Sequence, residues 1–316
     1  MKNIIDVFLS RNNFAVSGHS NPDGDTIGSC FALALALKKM GKQVSVLLDP
    51  YPAKYNIIPG RETLVALAEP ADVFVAVDCA SPERLGSTLS AFNEAKLTVC
   101  IDHHETNTGF ADENYVMPDV SSTSELIYAI VNEMVELDKD IASAVYAGMV
   151  SDTGGFRFSL TGKSTMEIVA ALMEYGIPFT DIYNEIMHMH SFAAGKALGV
   201  ALDSSEQHMD GRIVLTAITL DMLANVGAGP SDLEGVVGYL MNTVGAEVAV
   251  IIYEKTPGKK IKVGLRSNGA NMSRVALILG GGGHRKAAGA DFIGTIEEAK
   301  AKTLELIETE LSEHAD

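Results

Sequence analysis

One short stretch near the N-terminus sets the fold of the first half of the chain: residues 18–29, which read GHSNPDGDTIGS. The apolar run at residues 14–17 precedes it and predicts a buried strand, and the alanine- and leucine-rich run at 29–40 predicts a helix. A strand, a polar loop and a helix in this order make the first part of a βαβ unit. The loop brings three titratable side chains to the end of the strand: His19, Asp23 and Asp25.

The same alternation continues through the first half of the chain. The pattern predicts three more strands and two helices, at residues 44–48, 73–77 and 97–101, and at 121–136 and 164–175. Between those helices, residues 141–150 are apolar enough for a buried helix or strand, and they lead into Ser151 and Asp152. Strands that alternate with helices imply a parallel sheet, and ligands bind beyond the carboxyl ends of its strands.

The second half of the chain has a different pattern of predicted strands and helices. Strands are predicted at residues 212–218, 247–253 and 260–266, and helices at 272–279 and 297–313. Residues 191–203 form a mixed helical stretch that is suited to a connector. We therefore predict an α/β protein in three parts: a parallel-sheet domain at 1–190, a helical linker at 191–210 and a smaller mixed α/β domain at 211–316.

The composition excludes several classes of protein. Of 316 residues, 47% are hydrophobic and 21% are charged, so a disordered chain is excluded. The 24 Lys and Arg against 41 Asp and Glu give a net charge of −17, which disfavours binding to long nucleic acid or to an anionic membrane. No apolar run approaches the ~20 residues of a membrane span. The three cysteines lie in apolar runs without CxxC spacing, which predicts buried thiols and a cytoplasmic location.

Asp and His recur where apolar segments end: in residues 19–25, at Asp78, in residues 102–104 and at Asp152. A single Asp after a strand is often only a turn residue or a helix cap. Four carboxylates that converge at one sheet edge would repel each other unless divalent cations compensate their charge. Mixed carboxylate and imidazole ligands fit two ions with one bridging Asp, and they suit Mn²⁺ better than Ca²⁺. Two ions about 3.5–4 Å apart form a clamp for in-line displacement at phosphorus.

Four of these segments resemble, in order, the motifs of the DHH phosphoesterase superfamily: residues 19–29, Val77-Asp78, Asp102-His103-His104 and residues 151–154. The later stretch GGGGHRKAAG at 280–289, preceded by Gly-Leu-Arg-Ser at 264–267, resembles the signature of the C-terminal domain called DHHA1. The match spans most of the chain in the right order and spacing. Within the superfamily the chain is most similar to the nano-RNase and pAp-phosphatase branch, which degrades very short oligonucleotides and phosphorylated nucleotides.

The resemblance implies six ligands for two metal ions, which the mixed ligands predict to be Mn²⁺, with Asp78 bridging both. One ion would be bound by His19 and Asp23. The other ion would be bound by Asp25, His103 and Asp152. His104 would face the scissile phosphate as a hydrogen-bond donor or acid. Asp102 would orient an imidazole, as metal-bound histidines commonly require.

A basic stretch stands out in this acidic chain. Residues 255–286 contain eight Lys and Arg and no Asp or Glu, although the lysines near the turn at 257–260 are predicted to be ordinary surface residues. Arg266 and Arg285 lie next to a strand end and a glycine-rich loop, where guanidinium and backbone N–H groups can bind phosphate. A structural tight turn is the alternative explanation for the glycines.

The resemblance implies that this second domain binds the part of the nucleotide away from the scissile bond. The expected contacts come from the two signature segments: Arg266, Ser267, Gly282, Gly283, His284 and Arg285. Gly264 stands where many relatives carry Ser, and the sequence does not reveal what this change does to substrate binding.

These features predict a dimetal-dependent phosphodiesterase and exoribonuclease. The resemblance implies that it hydrolyses very short oligoribonucleotides and linear dinucleotides such as pApA to nucleoside 5′-monophosphates, with 3′-phosphoadenosine 5′-phosphate as a second substrate. The alternatives are a cyclic-dinucleotide phosphodiesterase and a non-catalytic nucleotide-sensing module. The sequence leaves open the physiological substrate, the polarity of degradation, the metal used in the cell and the oligomeric state, for which a homodimer is one option.

Two further features allow two interpretations each. The serine- and threonine-rich residues 121–124 are typical of a helix cap, and they could instead donate to a phosphate at a helix N-terminus. Arg84, which follows the second motif, fits either a salt bridge or a phosphate contact.

Overall fold

The computed structural model describes residues 1–67 and 69–313. The chain divides into two units, Met1–Met189 and the residues from His190 onward. The segment predicted as a linker, 191–210, contains a helix and a strand that both lie in the second unit. The fold class is the predicted one, with a parallel sheet in the first unit and a mixed sheet in the second.

Short apolar runs form the strands of the first unit, and all five residues of Val73–Val77 are buried, as expected for a strand covered on both faces. The strands are β1 Asn13–Ser17, β2 Gln43–Leu47, β3 Val73–Val77, β4 Leu97–Asp102 and β5 Glu113–Val116. The helices are α1 Lys2–Ser10, α2 Gly24–Lys39, α3 Leu89–Glu94, α4 Thr123–Met134, α5 Lys139–Asp152, α6 Lys163–Met173 and α7 Phe179–Met187.

The strand order of the first unit reverses between β1 and β3. Among the described residues the sheet runs β2-β1-β3-β4-β5, and the neighbouring strands are parallel. The chain leaves β1 toward β2 on one side of the sheet, and it leaves β3 toward β4 on the other side. The loops after β1 and β3 therefore run in opposite directions. Open parallel sheets bind ligands at such a switch point.

Helices α2, α4 and α5 form the core of the first unit against this sheet, with buried residues such as Phe31, Ile127 and Val145. The stretch at 141–150, for which the sequence allowed a helix or a strand, lies within the helix α5. Its residues are buried, which explains why it is apolar throughout. The helix predicted at 121–136 begins at Thr123, since Ser122 caps it by accepting a hydrogen bond from the Glu125 amide.

The second unit is a six-stranded sheet over its described residues, in the order β10-β11-β9-β8-β7-β6. Its strands are β6 Ser205–His208, β7 Ile213–Ile218, β8 Val248–Thr256, β9 Lys260–Ser267, β10 Gly282–His284 and β11 Ala287–Ile293. Its helices are α8 Phe192–Asp203, α9 Leu220–Ala224, α10 Val236–Met241, α11 Met272–Ile278 and α12 Ile296–Glu313. One core lies between the sheet and α11 and α12, and a second lies under α8 to α10.

The glycine-rich segment differs from the predicted loop. Part of it forms β10, which pairs with β11 as an antiparallel hairpin. A Cβ on Gly283 would lie 2.6 Å from the Ala287 carbonyl oxygen, so the close approach of the two strands requires glycine there. Over the described residues, no helix is both long and apolar enough to span a membrane.

Candidate metal centre

The loop after β1 folds back as the cap of α2. Asp23 accepts hydrogen bonds through Oδ1 from the backbone amides of Asp25 (3.0 Å) and Thr26 (3.1 Å). This cap starts the helix at Gly24, about five residues earlier than the helix-forming run predicts, so Asp25 lies in the first turn and not in the loop. The other oxygen of Asp23, Oδ2, lies 3.9 Å from Nε2 of His19.

Asp25 is completely buried and is held by the N-terminus of a second helix, α4. Its Oδ2 accepts from the Thr123 amide (2.7 Å), and its Oδ1 accepts from the Ser124 amide (2.9 Å). Residues 121–124 are thus a helix cap whose free N–H groups bind a carboxylate of the protein itself. The alternative of a phosphate contact is not needed to explain them.

Asp78 occupies the centre of the cluster. It follows β3, it is 2% exposed, and its backbone is left-handed with φ of 54°, which is uncommon for a residue other than glycine. Its Oδ2 lies 3.6 Å from Nε2 of His19, and its Oδ1 lies 3.8 Å from Nε2 of His103. The two oxygens of one carboxylate therefore face two different histidines.

Asp152, the last residue of α5, completes the cluster. Its Oδ2 lies 3.3 Å from Nε2 of His103. Three sets of potential ligand atoms lie within 4.8 Å of one another: His19, Asp23 and Asp78; Asp25, His103 and Asp152; and Asp78, His103 and His104. We call the six residues His19, Asp23, Asp25, Asp78, His103 and Asp152 the acidic cluster.

The two histidines of the acidic cluster present the same ring atom to it. Nδ1 of His19 lies 2.9 Å from the Ser20 carbonyl oxygen, and Nδ1 of His103 lies 3.4 Å from that of Val120. A carbonyl only accepts hydrogen bonds, so each Nδ1 carries the hydrogen and Nε2 offers its lone pair. This is the tautomer that a metal-binding histidine needs.

His104 has a different partner. Its Nδ1 donates to Oδ1 of Asp102 (2.7 Å), and Oδ2 of Asp102 accepts from the side-chain amide of Asn107 (2.6 Å). Burial by itself would raise the pKa of Asp102, but the hydrogen bonds from His104 and Asn107 bring it below its ordinary value. The hydrogen bond to Asp102 in turn raises the pKa of His104. Sequence reasoning missed Asn107, although it lies three residues after the histidine pair.

The electrostatics of the acidic cluster favour a bound cation. Burial raises the pKa of Asp25 well above its ordinary value, and the neighbouring Asp78 and Asp152 raise it further. Burial is also the main cause that raises the pKa of Asp152 to about 7. Carboxylates packed this closely are costly to ionise unless a positive charge joins them. The donor set and the orientation of both imidazoles fit divalent metal ions.

Two glycines allow the helices that carry these ligands to converge. A Cβ on Gly28 of α2 would lie 2.6 Å from the Ala144 carbonyl oxygen of α5. A Cβ on Gly148 of α5 would overlap the Ser124 hydroxyl and lie 2.9 Å from Oδ1 of Asp25. The absence of both side chains therefore lets α2 and α5 bring Asp25 and Asp152 together, with Asp25 against the N-terminus of α4.

Arg84 lies beside the loop after β1, because its carbonyl oxygen accepts from the Ser20 amide at 2.7 Å. The structure shows no salt bridge from Arg84 to an acidic residue in the described parts of the chain.

In the second unit, the predicted substrate-binding residues lie on and around one face of the sheet. Arg266 of β9 is in register with Ala287 of β11, which is in register with His284 of β10. The next row on that face consists of Gly264, Gly289 and Gly282. Paired residues of antiparallel strands point to the same side, so a basic row borders a strip without side chains.

Gly264 is the member of this strip that lies on β9, and a Cβ there would lie 2.8 Å from Cγ2 of Ile251. A serine at this position would therefore need Ile251 to move. Two other predicted contacts, Ser267 and Arg285, are engaged within the unit, whereas Gly283 pairs with Ala288 on the opposite face of the sheet. The buried Ser267 donates its hydroxyl to the Ala270 carbonyl, and Nε of Arg285 donates to that of Gly269 at 3.2 Å.

The basic stretch is partly neutralised in three dimensions. The ammonium groups of Lys255, Lys260 and Lys262 lie 3.0, 3.3 and 3.7 Å from the carboxylate of Asp291. We call these four residues the lysine cluster. The prediction that Lys255 and Lys260 are surface residues agrees with their partial exposure, but their positive charges converge on one acid.

Comparison with known proteins identifies both halves of the chain. Residues 13–149 match the family described as DHH family, N-terminal domain, and residues 213–313 match the DHHA1 domain. The chain is 31% identical, over 94% of its length and 90% of the relative, to the bifunctional oligoribonuclease and PAP phosphatase NrnA of Thermus thermophilus. A crystal structure of an exopolyphosphatase-related protein from Bacteroides fragilis superimposes with a TM-score of 0.91 at 26% identity, covering 98% and 95% of the two chains.

A more distant relative bears on the choice of substrate. The cyclic-di-AMP phosphodiesterase PdeA of Listeria monocytogenes is 25% identical over 93% of this chain, which spans only 47% of that protein.

Proposed function

Because the chain belongs to the DHH family and carries a DHHA1 domain, we propose that it is a metal-dependent phosphodiesterase that acts on very short oligoribonucleotides. Linear dinucleotides such as pApA would be cleaved to nucleoside 5′-monophosphates. Release of phosphate from 3′-phosphoadenosine 5′-phosphate would be a second activity. The observation that carries this proposal is the clustering of three carboxylates and two correctly oriented imidazoles around a fourth carboxylate, that of Asp78.

The acidic cluster would hold two divalent ions, for which Mn²⁺ is our proposal because the ligands mix nitrogen and oxygen. His19 and Asp23 would bind one ion, and the other would be bound by Asp25, His103 and Asp152. Asp78 would be shared, since its two oxygens face the two groups separately. When bound, such an ion pair activates water and neutralises the oxygens of the scissile phosphate.

His104 is the proposed acid. Asp102 fixes the proton on Nδ1 and raises the pKa of the ring, so Nε2 is free to donate a proton or a hydrogen bond to the leaving oxygen. Asp102 acts only through His104, and Asn107 holds Asp102 in place.

The second unit would bind the part of the substrate that does not react. Arg266 and His284 offer donors to a phosphate or a sugar, and the neighbouring strip of three glycines leaves room for a flat group to approach the sheet. Ser267 and Arg285 would support this face by fixing the loop at 268–271, through their hydrogen bonds to Ala270 and Gly269.

We propose a cytoplasmic location, which agrees with three free and buried thiols. Burial is the main cause that raises the pKa of Cys79 and Cys100 to about 12, so both are unreactive near neutral pH.

The proposal is tested by turnover of a panel of substrates with Mn²⁺: pApA, a five-nucleotide RNA, 3′-phosphoadenosine 5′-phosphate and cyclic di-AMP. We expect release of AMP from pApA and of mononucleotides from the RNA. Asp78→Asn and His104→Asn should abolish this release, whereas the matched control Asp291→Asn should retain it.

Two results would contradict the proposal. Rapid cleavage of cyclic di-AMP with none of pApA would establish the cyclic-dinucleotide alternative. Tight nucleotide binding without turnover of any substrate would establish the sensing module.

A further inference from the structure

Two buried threonines contact the carboxylate at the centre of the acidic cluster. The hydroxyl of Thr26 donates to Oδ2 of Asp78 at 2.6 Å, and that of Thr123 donates to Oδ1 at 3.1 Å. Both threonine side chains are 0% exposed. Each oxygen of the shared carboxylate therefore has its own hydroxyl donor.

The two donors come from the first turns of different helices. Thr26 belongs to α2, which also carries Asp25, and Thr123 belongs to α4, whose amide groups hold Asp25. The methyl group of Thr26 packs against Gly18, the residue directly after β1, where a Cβ would overlap it, so glycine there leaves room for the rotamer that directs the hydroxyl at Asp78.

The hydroxyls also divide the two oxygens between the two halves of the acidic cluster. Oδ2 accepts from Thr26 and faces His19, whereas Oδ1 accepts from Thr123 and faces His103. A carboxylate oxygen has two lone pairs, so one can accept from its hydroxyl and leave the other for an ion that the histidine on that side would also bind. Rotation of the carboxylate, which would bring both oxygens to one ion, would break both hydrogen bonds.

We propose that Thr26 and Thr123 are positioning residues that make Asp78 a bridge with one oxygen for each ion. Thr26 stabilises the ion at His19 and Asp23, and Thr123 stabilises the ion at Asp25, His103 and Asp152. This inference rests on the proposed function, because it assumes that the acidic cluster binds two ions.

The test measures metal binding without substrate, by calorimetric titration of metal-free protein with Mn²⁺ and by the electron paramagnetic resonance of the bound ions. Thr26→Val and Thr123→Val keep the shape of the side chain and remove the hydroxyl. We expect each variant to weaken the binding of one of the two ions by about 10–100-fold, the usual cost of losing a partner of a metal ligand. Each should also diminish the spin-coupled signal of the ion pair.

The controls separate positioning from folding. Thr26→Ser and Thr123→Ser keep the hydroxyl, so these variants should still bind two ions. Thr216→Val removes a buried hydroxyl that bonds to Ser204 in the second unit, and it should bind Mn²⁺ like the unmodified protein.

Valine variants that bind two ions as tightly as the unmodified protein would overturn the inference while leaving the proposed function intact. Serine variants that lose an ion together with a fall in melting temperature would also overturn it, since the role of the threonines would then be packing. An unmodified protein that binds fewer than two ions would overturn the proposed function as well.

Discussion

The acidic cluster of the first unit and the lysine cluster of the second place aspartates in opposite electrostatic environments. Asp25 and Asp152 are packed among other carboxylates, and burial raises the pKa of both. Asp291 is surrounded by three ammonium groups, and its hydrogen bond with Lys255 is the main cause that lowers its pKa. Charge that the fold leaves uncompensated indicates a site for an external ion, whereas compensated charge is structural.

The largest expected effect comes from the centre of the acidic cluster. Asp78→Asn removes one charge and one ligand from both proposed ions. We expect kcat/KM for pApA to fall by at least about 10²–10³-fold, the scale of losing one preorganised electrostatic contact. Asp291→Asn, measured in the same assay, should stay within about twofold, because its ion pairs are exposed. Equal losses in both variants would remove the distinction between the two clusters.

The second prediction concerns the packing that creates the acidic cluster. Gly148→Ala forces a methyl group against Ser124 and Asp25. We expect it to weaken Mn²⁺ binding by about 10–100-fold and to destabilise the protein by about 1–3 kcal/mol. Calorimetry and thermal unfolding measure both quantities.

Gly199→Ala is the matched control, since no atom lies within 4 Å of a Cβ added there in the helix α8. It should leave metal binding unchanged and add up to about 1 kcal/mol of stability. Unchanged Mn²⁺ affinity in Gly148→Ala would show that the close approach of the helices does not position Asp25.

The third prediction compares two cations on the same face of β9. Arg266→Ala removes a charge beside the glycine strip and should raise KM for pApA by about 10-fold, the scale of one charge-assisted hydrogen bond, with little change in kcat. Lys260→Ala removes a charge already paired with Asp291 and should change KM by less than about twofold. A larger effect from Lys260 would assign substrate binding to the lysine cluster.

The smallest expected effect is a dependence of stability on pH. The pKa of Asp152 is raised to about 7, so the folded protein holds a proton that the unfolded chain has already lost. The metal-free protein should therefore lose stability, and its Tm should fall, as pH rises from about 4 to about 7.

Asp152→Asn should flatten this trend and raise the Tm of the metal-free protein at pH 8. Asp291, whose pKa is lowered, should act in the opposite direction, and Asp291→Asn should not raise the Tm. Thermal unfolding in a chelator across this pH range measures both. A metal-free Tm that rises toward pH 8 would contradict the account of the acidic cluster.

The sequence predicts those residues of the site that come just after a strand. His19, Asp78 and His103 follow strands that are evident as apolar runs, and parallel strands place their carboxyl ends together. The roles of Thr26, Thr123 and Asn107 could not be predicted, because their partners lie in other elements or in a folded loop. The same applies to Asp291, since only the register of β11 against β9 brings it to the lysines.

The number of ions that the acidic cluster binds is the property that most directly distinguishes it from a structural cluster. Metal-free protein titrated with Mn²⁺ in a calorimeter should bind two ions per chain, and Asp78→Asn should bind at most one with high affinity. A folded, unmodified protein that binds a single ion or none, or an Asp78→Asn variant that still binds two equally well, would contradict the proposed two-ion site.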